Sequence, residues 1–190
     1  MAREKKFSTQ EIFKATNSLL LKHGYEGFSF SLLAGALHVS RAAIYKHYMN
    51  KEELIIDYMV SEMEKILSDL QEIDSTADFT SQLDQLLTLI FAYSDIHQIL
   101  GMAHQIQENS SDISEKKNQL QKLHLDMYSQ LQSLINLGKQ ENLLSEKLPN
   151  DVILGFIFQS IAIPNHRGIP QEEWLHYIKE VVGHGIYKIK

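Results

Sequence analysis

Apolar residues recur at helical spacing along most of the chain, and polar caps and breaks divide this pattern into segments. The first amphipathic segment begins with Ser8 and Thr9, either of which can cap a helix, and Glu11 is placed to complete a capping box. Gly24 is the predicted end of this helix, because glycine readily adopts the left-handed conformation that closes a helix.

Two short capped segments follow within residues 29–48. Ser29 begins the first helix and Ser40 the second, and the pair His38-Val39 forms a tight break between them. Ile44 is apolar on the inward side of the second helix. Two short helices joined by a tight turn are the helix-turn-helix arrangement, although the bare pattern also fits any two amphipathic helices of a bundle.

Longer helical segments fill the rest of the chain, and the apolar spacing predicts that one of them covers residues 96–106 with His97 and His104 on one face. Asn50 caps a fourth helix, with Glu53 in a variant of the capping box, and the chain breaks again at residues 74–78 and 109–112. Asp112 or Ser114 is the expected cap of a long helix that fades near residue 142. The pattern contains no alternating strand signal, so it predicts an all-α protein of about nine helices.

The last two helical segments differ from the others. Residues 152–163 are apolar almost all round, and a helix without a polar face must be covered on every side. Pro170 then fits the first turn of a final amphipathic helix. These two segments are therefore the candidates either for a buried core helix with its neighbour or for a surface that another chain covers.

The charge of the chain is unevenly distributed. The net charge of the 190 residues is −6, yet residues 1–51 carry eight basic and three acidic side chains, a net charge of +5. A basic end on an acidic body suggests that this end meets a polyanion. The first basic residues, Arg3, Lys5 and Lys6, form a short arm that can either touch DNA or remain solvated.

Several classes of protein are disfavoured by what the sequence lacks. It has no cysteine, which excludes disulfides and thiolate chemistry, and no apolar run approaches the ~20 residues that span a bilayer. The N-terminus has no apolar signal core, so a cytoplasmic location is expected. No nucleophile elbow, phosphate-binding glycine loop or His-Glu-x-x-His motif is present, and an enzyme is not expected.

One stretch of about 45 residues is more specific than the general pattern. This stretch contains three features in a characteristic order and spacing: the run from Gly24 to Phe30, the Val39-Ser40 turn, and the sequence Ile44-Tyr45-Lys46-His47-Tyr48-Met49-Asn50-Lys51-Glu52-Glu53-Leu54. In these features the chain resembles the N-terminal domain of the TetR/AcrR-type transcriptional regulators. His38 stands where that family usually has glycine in the turn, and Ala42 where it often has glycine early in the recognition helix. Neither difference removes a DNA-contacting group, so both concern the geometry of the turn.

The resemblance implies a division of the chain and a set of DNA contacts. Residues 1–50 would form a three-helix DNA-binding domain, and residues 51–190 a helical ligand-sensing and dimerising domain. Arg41 is the candidate for reading a guanine edge, and short residues beside it would let the helix approach the bases. The residues expected to contact DNA are Ser29, Ser40, Arg41, Ala42, Ala43, Tyr45, Lys46, His47 and Lys51.

The resemblance also implies a homodimer and a ligand. Residues 152–163 and 170–189 would pair across a two-fold axis, which predicts a near-palindromic operator in double-stranded DNA. A small apolar or amphipathic organic ligand is expected, with no cofactor and no metal, because the histidines lack a short ligand spacing. The residues expected to line its pocket are Met59, Met63, Phe91, Tyr93, His97, Leu100, His104, His124, Met127, Tyr128, Phe156 and Gln159.

The leading hypothesis is therefore a homodimeric repressor that a small-molecule ligand releases from DNA. An activator of the same fold, or a DNA binder that needs no ligand, is the runner-up. A helical interaction module that no longer reads DNA belongs to a different class, and the basic N-terminal residues disfavour it.

Overall fold

The computed structural model describes residues 7–186, with side-chain surroundings as far as Gly183. The predicted arm of Arg3, Lys5 and Lys6 lies outside these residues. Within residues 7–186 the chain forms nine α-helices and no strand, which confirms the all-α prediction. The helices are α1 (Thr9–Gly27), α2 (Phe30–Leu37), α3 (Arg41–Tyr45), α4 (Lys51–Leu70), α5 (Phe79–Ala92), α6 (Ser94–Leu100), α7 (Ser111–Gln140), α8 (Asn150–Gln159) and α9 (Gln171–Ile186).

These helices fold into two compact units. The first unit takes in the chain as far as Glu64 together with Asp95–Lys122, and the second takes in Lys65–Ser94 and the chain from Leu123 onward. The first unit thus contains α1 to α3 and also parts of α4, α6 and α7, beyond the predicted N-terminal domain. The division into domains 1–50 and 51–190 stays a prediction.

The first three helices begin at the serines that the sequence predicts. Ser8 and Glu11 form a full capping box, with the Ser8 N–H donating to Glu11 Oε2 at 2.7 Å and the Glu11 N–H donating to Ser8 Oγ at 3.2 Å. Ser29 Oγ accepts the Leu32 N–H at 3.4 Å, and Ser40 Oγ accepts the N–H of residue 43 at 3.2 Å. Each cap satisfies an N–H that has no partner within its helix.

Two residues with positive φ shape the connections between these helices. Gly24 (φ 66°, ψ 179°) interrupts α1, but helical bonding resumes for residues 25–27, so α1 extends to Gly27 rather than ending at Gly24. His38 (φ 56°, ψ 44°) is left-handed, as its place in the turn predicts, and this conformation costs a non-glycine residue about 1 kcal/mol.

The predicted cap of α4 is present with one change of partner. Asn50 Oδ1 accepts the Glu53 N–H at 2.8 Å, and the Glu53 carboxylate returns to the N–H of Met49 at 2.8 Å rather than to that of Asn50. The box is therefore one residue wider than the usual form.

Two predictions about α6 and α7 are wrong in detail. Ser110 caps α7, because its Oγ accepts the Ile113 N–H at 3.3 Å, whereas Asp112 and Ser114 lie inside the helix. The segment predicted as one helix over residues 96–106 ends at Leu100, and His104 lies in a separate 3-10 turn. His97 and His104 therefore do not share a continuous helix.

Each unit has its own apolar core. In the first unit, α1 packs on α2 and α2 on α3, and the fully buried side chains include Ile12, Leu20, Leu33, Ile44, Leu54, Ile55 and Met59. In the second unit, α9 packs on α5 and α8, and the fully buried side chains include Phe79, Leu86, Leu87, Ile135, Leu144, Leu154, Ile157 and Val182.

Long-range polar contacts hold the second unit together. The Glu141 carboxylate accepts the Phe79 N–H at the start of α5 (3.2 Å), and Lys179 of α9 pairs with Asp84 of α5 at 2.5 Å.

No single helix in the part of the chain that the structure describes is long and apolar enough to cross a membrane; residues 79–92 and 94–105 pass that test only as a bent pair.

Candidate DNA-binding surface

Helix α3 has one buried side and one open side. Ile44 is fully buried and anchors the helix on α2, while Arg41 and Ala42 are exposed. Ala43, predicted to lie near base edges, is only 8% exposed and packs into the core of the unit. The structure therefore places Arg41 and Ala42, but not Ala43, on the open side.

Arg41 and Tyr45 lie one helical turn apart and interact. The Arg41 guanidinium donates from Nη2 to the Tyr45 hydroxyl oxygen at 3.5 Å, and its central carbon lies 5.9 Å from the centre of the Tyr45 ring. The Tyr45 ring in turn packs edge-on against the buried Phe30 ring of α2, with ring centres 5.1 Å apart. Phe30 thus supports Tyr45, and Tyr45 supports the charged end of Arg41.

The residues that follow α3 continue the open surface. Lys46 and His47 are both exposed, and the His47 ring lies against Phe7, with ring centres 5.0 Å apart. Tyr48 turns inward and is only 8% exposed. This part of the unit therefore exposes two cations, Arg41 and Lys46, and two groups that can donate or accept hydrogen bonds, Tyr45 and His47.

Lys51 begins α4 and is tied to the end of α1. Its ammonium group donates to the backbone oxygen of Tyr25 at 3.0 Å and lies 4.2 Å from the centre of the Tyr25 ring. The Tyr25 hydroxyl donates to Glu52 Oε1 at 3.0 Å. Burial, and then this hydrogen bond, raise the pKa of Tyr25 to about 12, so the ring stays neutral beside the ammonium group. The hydrogen bond to Tyr25 uses one of the three N–H donors of Lys51, so the ammonium group can also donate to a further partner.

Sequence patterns did not reveal the side-chain contacts that connect this surface to α4 and α7. Tyr48 donates its hydroxyl hydrogen to Asp57 of α4 at 2.9 Å, and Lys116 of α7 pairs with the same carboxylate. Nothing in the local sequence distinguishes Asp57 from the other polar residues of α4, and Lys116 lies 59 residues away along the chain.

The predicted pocket residues are divided between the two units. Met59, Met63, His97, Leu100 and His104 belong to the first unit, and Phe91, Tyr93, His124, Met127, Tyr128, Phe156 and Gln159 to the second.

Their burial also varies. Met59, Met63, Phe91 and Met127 are buried, whereas His104, His124, Phe156 and Gln159 are exposed. Their assignment to one pocket stays a prediction. No cluster of three or more His, Asp or Glu side chains that could hold a metal occurs among residues 7–183.

Within the second unit an aromatic row includes two of these residues. The His124 ring lies 5.0 Å from the Tyr128 ring, and Tyr128 lies 5.5 Å from Phe158 of α8. Although the His124 side chain is exposed, neighbouring protein atoms displace part of the water around its ring, and this desolvation lowers the pKa of His124 and favours its neutral form. Burial, and then the charge of Asp151, raise the pKa of Tyr128.

The second unit also exposes apolar side chains on its two last helices. Val152 (56% exposed) and Phe156 (45%) lie one turn apart on α8, and Tyr177 (45%) and Val181 (54%) lie one turn apart on α9. We call these four residues the α8/α9 face. The sequence predicts that a helix as apolar as α8 is covered all round, and in the single chain its outer side is open.

Comparisons with known proteins agree with this arrangement. Residues 12–58 match the family of bacterial regulatory proteins called the tetR family. A comparison with curated proteins gives no significant match.

Solved structures resemble the chain over nearly its whole length. The ketosteroid transcriptional regulator KstR2 of Mycobacterium tuberculosis has 18% identity and a TM-score of 0.75, covering 100% of both chains. A TetR-family transcriptional regulator of Haemophilus influenzae has 19% identity and a TM-score of 0.64, covering 95% of this chain and 99% of its own. The regulator FadR of Bacillus subtilis, solved with stearoyl-CoA, has 20% identity and a TM-score of 0.66, covering 94% of this chain and 100% of its own.

These neighbours are transcriptional regulators rather than enzymes, and their likeness extends through both units. The match of residues 12–58 covers the helix-turn-helix whose capping, turn and open side are described above. Residues 12–58 therefore match the model of the tetR family of bacterial regulatory proteins, and the chain as a whole has the fold of the TetR-family transcriptional regulators.

Proposed function

We propose that the protein is a homodimeric transcriptional repressor that binds a near-palindromic operator and is released by a small-molecule ligand. The observation that carries the DNA-binding part is the open side of α3. A helix that keeps its apolar side in the core and exposes Arg41, Ala42 and Tyr45 can enter a major groove. Arg41 would read a base edge there, and the small Ala42 would allow close approach.

The surrounding groups are suited to holding phosphates. Ser29 and Ser40 offer hydroxyls at the starts of α2 and α3, and Lys46, His47 and Lys51 add donors near the end of α3 and the start of α4. The net charge of +5 over residues 1–51 favours approach to DNA, and the acidic remainder disfavours binding elsewhere on the chain. Ala43 is left out of the proposed contacts because it is buried.

The α8/α9 face supports the homodimer. Four large apolar side chains that are each about half exposed would be costly to leave in water, and a second copy of the same face would cover them. In a two-fold dimer whose two copies of α3 read one operator, the copies would contact DNA about one turn apart, ~34 Å or a multiple of it. The near-palindrome follows from that symmetry.

The ligand part of the proposal is supported by the solved neighbours. FadR of B. subtilis was solved with stearoyl-CoA, and KstR2 is described as a ketosteroid regulator. Both names point to ligands with a large apolar part, which agrees with the small apolar or amphipathic molecule that we propose for this chain. The ligand can release DNA only if it binds the released conformation better than the DNA-competent one.

Selection from a randomised duplex pool tests the DNA-binding part. We expect the wild-type protein to enrich a near-palindrome, with two protomers on each duplex and an affinity that falls steeply as salt is raised. Arg41→Ala should relax the base preference and cost about 1–3 kcal/mol on the selected duplex. Arg167→Ala is the matched control, because it removes an exposed arginine from the loop that precedes α9.

Two results would contradict the proposal. Wild-type protein that enriches no sequence at low salt would rule out an operator-reading regulator and favour a helical interaction module. An equal loss of affinity for Arg41→Ala and Arg167→Ala would show that Arg41 acts only through its charge. Adding stearoyl-CoA to the complex then asks whether a long-chain amphipathic molecule lowers operator affinity, and a DNA binder that needs no ligand would show no such release.

A further inference from the structure

Asp57 joins three elements of the first unit. Its carboxylate lies on α4, where Oδ2 accepts the hydroxyl hydrogen of Tyr48 at 2.9 Å and Oδ1 pairs with the ammonium group of Lys116 on α7. Tyr48 stands three residues after the end of α3. A single carboxylate therefore links α7 to the segment that follows the proposed recognition helix.

Tyr48 is placed so that its orientation affects that segment. Its side chain is 8% exposed, and its N–H donates to the backbone oxygen of Ile44 at 3.1 Å. Burial, and then the hydrogen bond to Asp57, raise the pKa of Tyr48, so the hydroxyl remains a donor at neutral pH. Lys46 and His47 lie between α3 and Tyr48, and a displaced Tyr48 would move both of these proposed phosphate contacts.

Asp57 needs the positive charge of Lys116. The two side chains are about one third exposed, 33% for Asp57 and 31% for Lys116, so the carboxylate has lost much of its hydration. One hydroxyl donor compensates a half-buried carboxylate less well than a hydroxyl and an ammonium group together. Without Lys116, Asp57 would favour conformations in which it turns toward water and releases Tyr48.

We infer that Lys116 is a positioning residue for DNA recognition, acting through Asp57 and Tyr48 on the C-terminal end of α3. The inference rests on the proposed function, and it makes α7 a place from which operator affinity can be altered without any contact to DNA. Lys116 itself is not one of the proposed DNA contacts.

The test compares Lys116→Gln with Lys122→Gln in the full-length protein. Lys122 is an exposed lysine on the same helix, so its replacement removes the same charge and controls for long-range attraction to DNA. Groups in direct contact are energetically coupled, so we expect Lys116→Gln to weaken operator binding about fivefold more than Lys122→Gln does, a difference of about 1 kcal/mol. Binding to unrelated DNA should change equally in the two variants.

Two further variants separate positioning from general instability. Lys116→Arg should restore operator affinity, because it keeps the charge beside Asp57. Tyr48→Phe keeps the buried ring and removes only the hydroxyl, and it should reproduce the loss even if Lys116→Gln folds poorly. In an Asp57→Asn background, Lys116→Gln should have little further effect. Equal operator affinities for Lys116→Gln and Lys122→Gln, or additive effects with Asp57→Asn, would overturn the inference.

Hydrogen exchange in the free protein keeps this inference distinct from the proposed function. Lys116→Gln should speed amide exchange at residues 44–48, where the Tyr48 N–H is bonded, and Lys122→Gln should not. If the protein selects no operator but this difference is seen, the proposed function fails and the link from Lys116 to α3 stands. Unchanged exchange at residues 44–48 would overturn the link whatever the DNA result.

Discussion

Gly138 of α7 stands where two buried side chains leave no room for another atom. A Cβ built on this residue would lie 2.7 Å and 2.8 Å from two carbons of the Phe79 ring and 2.8 Å from Leu144 Cδ1. Phe79 and Leu144 are both fully buried, so neither can move into solvent. Gly138→Ala should therefore strain the core of the second unit.

The size of the effect follows from two opposing terms. Forcing extra carbon into a packed core costs about 1–3 kcal/mol. Replacing glycine by alanine inside a helix recovers up to ~1 kcal/mol through helix propensity. The net loss in unfolding free energy is then about 1–2 kcal/mol, which corresponds to a Tm roughly 4 °C lower for a chain of this size.

Thermal and urea unfolding at one fixed protein concentration measure this difference, since association would shift Tm with concentration. Gly35→Ala is the control, because nothing lies within 4 Å of a Cβ at that exposed position of α2, and it should be neutral or stabilising. Adding Phe79→Leu to Gly138→Ala should cost less than the sum of the single changes. A Gly138→Ala protein as stable as Gly35→Ala would refute the steric argument.

Three further predictions concern stability and assembly. Thr16 is fully buried, and its hydroxyl has no hydrogen-bond partner among the described residues. Thr16→Val should therefore raise the free energy of unfolding by about 1 kcal/mol and shift the urea midpoint upward, and a lower midpoint would contradict this. The pKa of Tyr25 is raised from 10 to about 12, so the unfolded chain releases this proton first and stability should fall as pH rises from 10 to 12. Tyr25→Phe should lose less stability over that range, and an equal loss would count against the raised pKa. Phe156→Glu should dissociate the proposed dimer in sedimentation experiments by opposing like charges across the axis, whereas Leu125→Glu, at another exposed apolar residue, should not.

Local signals in the sequence were enough to predict where the first three helices begin and the turn between α2 and α3. Ser8, Ser29 and Ser40 cap the helices that they were expected to cap, and His38 takes the left-handed conformation that its turn requires. Each of these features depends on hydrogen bonds to residues three or four positions away. The open side of α3 was also predicted from a local pattern, because the apolar Ile44 marks the inward side of the helix. Ala43 is the exception, since it was expected on the open side and is buried.

The wrong predictions arose where several local choices compete. Ser110 rather than Asp112 or Ser114 caps α7, although serine and aspartate both favour that position. The apolar spacing continues past Leu100, yet α6 ends there and a 3-10 turn follows. Helical periodicity cannot by itself distinguish a continuous helix from two segments in the same phase.

Contacts between distant residues could not be predicted at all. Lys116 pairs with Asp57, 59 residues away along the chain, and Glu141 accepts the first N–H of α5, 62 residues away. An exposed lysine and a paired lysine look the same in a one-dimensional pattern. These contacts brace the recognition segment and the second unit, and only the folded chain brings them together.

The central claim is that the open side of α3 lies in DNA, once in each half of a dimer. The chain has no cysteine, so a single Met49→Cys variant can carry a DNA-cleaving iron chelate at one known place, and Met49 is 81% exposed beside the proposed contacts. On the selected duplex we expect two clusters of cleavage, about 10 base pairs apart or a multiple of that spacing. Glu72→Cys, exposed in the second unit, should give no clusters when labelled in the same way. Uniform cleavage from Met49→Cys, or the same pattern from both labelled variants, would contradict the account.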